Sequence, residues 1–95
     1  MPSANPVNWF EIPAADLDRA RAFYEAILDI EMQRQDMGPL KMAWFPMVDD
    51  GDGASGTLVE NENYTPSYAG SLVYLSVEDI DEVLARVEDR GGKVL

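Results

Sequence analysis

The side chains in this sequence that can do chemistry are carboxylates and little else. Histidine and cysteine are both absent from its 95 residues. That excludes the usual general base and commonest metal ligand, along with thiolate nucleophiles, Cys-based zinc sites and disulfides. Asp and Glu number 18 against 7 Lys and Arg, a formal charge of −11. A phosphate backbone rewards Lys and Arg, so neither nucleic acid nor an anionic membrane is an expected partner. The charge reads first as solvated surface that aids solubility, with a cationic small molecule as the sharper alternative. Asp49, Asp50 and Asp52 around Gly51 and Gly53 have the composition of a calcium loop but neither its ligand spacing nor its terminal Glu, so they read as a turn. Asp16 and Asp79 precede apolar-periodic runs and read as helix caps. Glu60 remains as the weak catalytic candidate. Trp9, Trp44 and Phe45 suit either a pocket wall or plain packing; Trp44 and Phe45 are adjacent, so they must face opposite ways. The 5 methionines serve equally as an adaptable lining or as gap fillers.

These residues need elements to position them. Met1 to Asn5 reads as a disordered lead, and Pro6 holds the backbone extended before a strand at Val7 to Ile12. Trp9 and Glu11 share one face of that strand, Phe10 and Ile12 the other. An ionised Glu11 on a covered face would need a partner. Pro13 has no amide hydrogen and ends the pairing. From the cap Asp16, apolar residues recur at helical spacing through Leu28. Further strands are expected at Ile30 to Asp36, at Leu40 to Val48 with Pro46 interrupting, and at Ser55 to Glu60 after the DDGDG turn. Asn61 to Gly70 reads as a linker. A fifth strand follows at Ser71 to Val77, then a helix capped by Asp79 with Glu82 at capping-box spacing, a stop at Gly91-Gly92 and a sixth strand beginning at Lys93.

The chain repeats itself. A shift of 63 positions lays Leu72 to Val87 on Trp9 to Tyr24, with Asp79 on Asp16, Asp81 on Asp18 and Ala85 on Ala22. The expected organisation is one domain over 1–95, with a first βαβββ module at 7–60 and the start of a second, strand and helix only, at 71–95. By repeat logic the second unit would extend roughly 30 residues beyond Leu95. A sheet completed by another chain is the alternative. With no basic leader and no apolar run of about 18 residues, a cytoplasmic location is expected.

The stretches NWFEIPAADLDRARAFYEAIL, KMAWFPM, SGTLVE and SLVYLSVEDIDEVLARVEDRGGKV, with the repeat, resemble the vicinal oxygen chelate superfamily. This is the glyoxalase, bleomycin resistance and dioxygenase family, and the likeness is to its small bacterial glyoxalase-like members. The resemblance implies an α+β fold of tandem βαβββ modules with a cupped mixed sheet around a ligand pocket, the second module truncated after its helix, and a homodimer. It also implies metal-ligand positions at Trp9, at Leu72 and at the end of the fourth strand, where Val59 falls with Glu60 one residue away. Trp9 and Leu72 cannot bind a divalent cation. Glu60 points inward only if the register slips by one.

No metal and no cofactor is therefore expected. Trp9, Trp44, Leu72 and Val59 are the expected lining of a small-molecule pocket. The expected function is metal-independent binding or sequestration of a small molecule. The alternative is a metal-dependent lyase or isomerase of the glyoxalase type, with ligands from a C-terminal segment or a dimer partner and Glu60 as its carboxylate.

Overall fold

The computed structural model describes residues 5–95. Of the N-terminal lead expected at Met1 to Asn5, all but Asn5 lies outside the described residues. The elements run β1 (Trp9–Pro13), α1 (Leu17–Leu28), β2 (Gln33–Arg34), β3 (Lys41–Trp44), β4 (Ser55–Glu60) and α2 (Ile80–Val87), with a 3-10 turn at Glu88–Arg90. The fold is α+β. Its four-stranded sheet has the order β1-β4-β3-β2; β1 lies parallel to β4, and the other pairs are antiparallel. From Trp9 to Glu60 the elements thus run β-α-β-β-β.

Local chemistry sets each boundary. Pro13 is the last residue of β1 and sits opposite Val59. It is tolerated because β1 is an edge strand, and the next amide, Ala14 N, resumes the bonding to Val59 O at 2.8 Å. Asp16 is the extended N-cap of α1, its carboxylate accepting from Arg19 N at 3.1 Å. Asp29 ends the helix in the left-handed region with φ 53°, a conformation that Asp tolerates better than most residues. Beyond it Glu25 accepts from Met32 N at 2.9 Å. This draws the chain back to a β2 of only two residues, shorter than expected. β3 stops at Trp44, before Pro46.

Sheet register decides which side chains share a face. Trp9, Glu11, Met42, Trp44, Thr57 and Val59 lie on one face, and Phe10, Ile12, Ala43, Leu58 and Glu60 on the other. The second face is the one that α1 covers. Leu17, Met32, Ala43, Phe45 and Leu58 form its core, with Phe10, Ile12, Tyr24 and Leu28 packed around them.

The two helices begin alike. Asp79 caps α2 with φ −136° and ψ 104°, against φ −136° and ψ 101° at Asp16, and its carboxylate accepts from Asp81 N and Glu82 N. Gly91, at φ 93°, closes the following turn. Its amide donates to Glu88 O and that of Gly92 to Val87 O, a Schellman pattern. α2 packs against α1. The strands expected at Ser71 to Val77 and from Lys93 are not formed, and both stretches carry no strand pairing. A strand exists by virtue of a neighbour, and no described strand lies beside them. Leu72, Tyr74 and Ile80 are consequently exposed.

Candidate functional site

The face of the sheet away from α1 carries most of the expected pocket residues. β1 contributes Trp9, β3 contributes Trp44, and β4 runs between them with Ser55 beside Trp9 and Thr57 beside Trp44. The two indoles meet across β4, ring centroids 5.0 Å apart and planes at 62°, the edge-to-face arrangement that suits the aromatic quadrupole. Both are half-buried. Val59 lies on the same face and is fully buried, as are Thr57 and Met42, so Val59 forms floor rather than wall. Glu11 shares the face, is exposed, and is the carboxylate nearest Trp9 along β1.

Leu72 is not brought to this face. It lies 78% exposed on the segment after the linker and borders a cleft on the helix side, alongside Phe10, Leu28 and Phe45. Phe45 turns inward against Tyr24, centroids 5.5 Å apart, which leaves Trp44 to the other face as adjacency requires.

Glu60 faces α1. Its Oε1 accepts from Leu17 N at 2.7 Å and its Oε2 lies 3.7 Å from Lys41 Nζ. The first amide of the helix, buried with Leu17, thus receives its partner from β4, and the carboxylate sits where a helix N-terminus favours negative charge. No register slip turns Glu60 inward: Val59 pairs with Pro13 and Met42, and Glu60 with Lys41.

Thr57 stands on the same face with no local motif to mark it. Its Oγ1 and the Nε1–H of Trp44 are both buried without a hydrogen-bond partner, on adjacent strands of the same face. Alternation along SGTLVE was the available signal, since Thr57 stands two residues from Val59. Elsewhere, a hydrogen bond from Arg34 holds Asp36 below its ordinary carboxylate value, and that contact raises Arg34 in turn. Burial raises the Tyr24 phenol. Among the described residues no three of His, Cys, Asp and Glu come close enough to hold a metal ion. No helix among them is long and apolar enough to cross a membrane.

Two solved structures share the fold. A glyoxalase I mutant, V278E, from Zea mays superposes with a TM-score of 0.61 at 20% identity, over 90% of this chain and 32% of that one. The trypanothione-dependent glyoxalase I of Leishmania major gives 0.60 at 22% identity, over 90% of this chain and 66% of its own. The chain thus spans about a third of the first and just under two thirds of the second. At these identities the likeness is one of fold. No curated protein matches the sequence. The family profile described as Glyoxalase/Bleomycin resistance protein/Dioxygenase superfamily matches residues 7–95. With all but the first six residues inside that match, the chain belongs to the glyoxalase, bleomycin resistance and dioxygenase superfamily.

Proposed function

We propose that the chain is a metal-independent module that binds a small aromatic or apolar molecule on the Trp9 face of its sheet, and that it sequesters rather than transforms its ligand. One observation carries this: the positions where the family resemblance implies metal ligands hold Trp9 and Val59, in company with Met42, Trp44 and Thr57. Tightly held divalent cations gather several carboxylate, imidazole, thiolate or carbonyl donors, and the one carboxylate in register there, Glu11, is alone. The donor set does not fit a metal. Two indoles set edge to face offer a planar ring an aromatic surface to pack on. Glu11 and the charge of −11 favour a cationic ligand, because a cation gains from both the carboxylate and the indole faces.

The lyase alternative relied on Glu60. With its two oxygens engaged by Leu17 N and Lys41, that carboxylate braces α1, and no observation favours the alternative. Homodimerisation and a cytoplasmic setting belong to the same proposal. The large apolar side chains exposed at Leu72, Tyr74, Ile80 and Leu84 support the former.

Tryptophan fluorescence tests it. Benzyltrimethylammonium is expected to perturb the indole emission saturably, more strongly than benzoate, equally with and without a chelator, and not in Trp9→Ala. A response that needs a divalent cation, or one that survives Trp9→Ala, would overturn the proposal.

A further inference from the structure

On the helix side of the sheet, remote from the indoles, lies a groove of about 530 Å³, within the size range of small-molecule sites. Ile12, Ala20 and Phe23 supply its apolar surface, and Arg19 and Arg90 border it. Its shape depends on a close approach. A Cβ at Gly92 would lie 2.8 Å from the Phe23 ring and 2.7 Å from Val87 Cγ1, so glycine lets the turn after α2 close against α1 without displacing either side chain. That closure brings Arg90 to the same groove as Arg19, which the first turn of α1 presents.

Charge singles the groove out. Arg21, Arg34, Lys41 and Arg86 are each engaged by a carboxylate. Among the described residues, Arg19, Arg90 and Lys93 make no ion pair, although the sequence holds 18 acidic residues. Two of these three cations border this one groove, and Lys93 directly follows its Gly92. Asp16 also borders it, but its Oδ1 is committed to the Arg19 amide as the α1 cap. Tyr24 lines the groove as well, and burial keeps its phenol neutral, so it adds no competing negative charge.

We infer that this groove binds a small amphipathic carboxylate, a medium-chain aliphatic acid, with its chain on Ile12, Ala20 and Phe23 and its head group between Arg19 and Arg90. An arginine fork matches a carboxylate in geometry as well as charge, and an apolar surface flanked by unpaired guanidinium groups discriminates against neutral and cationic amphiphiles. The groove is separate from the Trp9 face and prefers the opposite charge.

Calorimetric titration of the full chain with octanoate tests this. One molecule per chain is expected to bind. Hexanoate, two methylenes shorter, should bind about tenfold more weakly, as the transfer free energy of buried methylenes requires. Octylammonium should not bind. Arg19→Gln and Arg90→Gln should each weaken octanoate by about tenfold. Arg19→Lys and Arg90→Lys should restore part of that affinity, and Arg86→Gln, at a paired arginine outside the groove, should leave it unchanged. Amide shifts on binding should centre on Phe23 and Gly92 and spare the indoles of Trp9 and Trp44. Both Gln variants change exposed side chains, and thermal melts will confirm that they fold. Absence of octanoate binding, equal binding of octylammonium, undiminished binding to folded Arg90→Gln, or shifts centred on the indoles would each overturn the assignment.

Discussion

Glu60→Ala separates a structural carboxylate from a functional one. In the wild type, Oε1 of Glu60 lies 2.7 Å from the amide of Leu17; Leu17 is only 1% exposed and the Glu60 side chain 29%, so water replaces the lost acceptor only in part. Stranding a buried amide whose partner was a charged group costs about 1.5–3 kcal/mol. Removing negative charge from a helix N-terminus adds about 0.3–1 kcal/mol. The Lys41 contact, at 3.7 Å with Lys41 53% exposed, contributes at most about 0.5 kcal/mol. With water reaching part of the vacated space, the first cost stays at the low end of its range, and the expected loss is about 2–3 kcal/mol, a fall in melting temperature of roughly 8–24 °C for a chain of this length. Glu60→Gln keeps an acceptor oxygen and loses only the charge, so it should cost about 1 kcal/mol. Lys41→Met should fall below about 0.5 kcal/mol. Urea unfolding of the three variants, checked by thermal melts, measures the order. Catalytic carboxylates are commonly held at some expense of stability. If Glu60→Ala left stability unchanged or raised it, the brace would be refuted and Glu60 would return as a candidate for chemistry.

Other perturbations have equally definite outcomes. Gly56→Ala should destabilise by about 3 kcal/mol or prevent folding, since its Cβ would collide with Phe10 O and with the Phe10 ring at 2.6 Å; urea unfolding reads the loss. Thr57→Val replaces a buried hydroxyl that has no partner and should be neutral or stabilising by up to about 1 kcal/mol, read by urea unfolding. Asp36 titrates below 3.8 in the folded chain, held there chiefly by its hydrogen bond from Arg34. Its contribution to stability is therefore complete above 3.8 and lost as pH falls through the lower, folded value, where the unfolded state binds the proton first. Asp36→Asn should flatten the acid limb of a stability-versus-pH curve in that window and leave the neutral region without a slope of its own.

Much of the fold was legible because its signals are local. Asp16 and Asp79 announce both helices, and alternation along SGTLVE assigns β4 with its two faces. Both caps adopt the extended conformation that side-chain capping requires. The stretch at 71–77 was not legible in the same way, since a strand requires a neighbour and LVYLSV specifies only a readiness to pair. The length of β2 was hidden because Glu25 and Arg21, both on α1, bind the chain at Met32, contacts that no local pattern encodes.

The candidate site divides along the same line. That Trp44 and Phe45 part to opposite faces follows from adjacency, and that Val59 and Glu60 do so follows from period two. The meeting of Trp9 with Trp44 depends on β1 pairing parallel to β4 while β3 pairs antiparallel to it, a matter of topology. The orphaned Thr57 Oγ1 needs the packed structure, since only there does a hydroxyl become buried without a partner. The brace from Glu60 to Leu17, 43 residues apart, is likewise a product of the parallel β1–β4 pairing, which sets the end of β4 beside the start of α1.

Metal stoichiometry tests the central claim most directly. The chain would be dialysed against zinc and, separately, nickel, freed of loosely held ions by gel filtration, and its metal content measured by plasma mass spectrometry. Substoichiometric metal is expected for the wild type with either ion, because the Trp9 face offers indole, thioether and aliphatic side chains where donors would have to be. One tightly held ion per chain, lost in Glu11→Ala or Glu60→Ala, would contradict the claim and restore the metal-dependent reading.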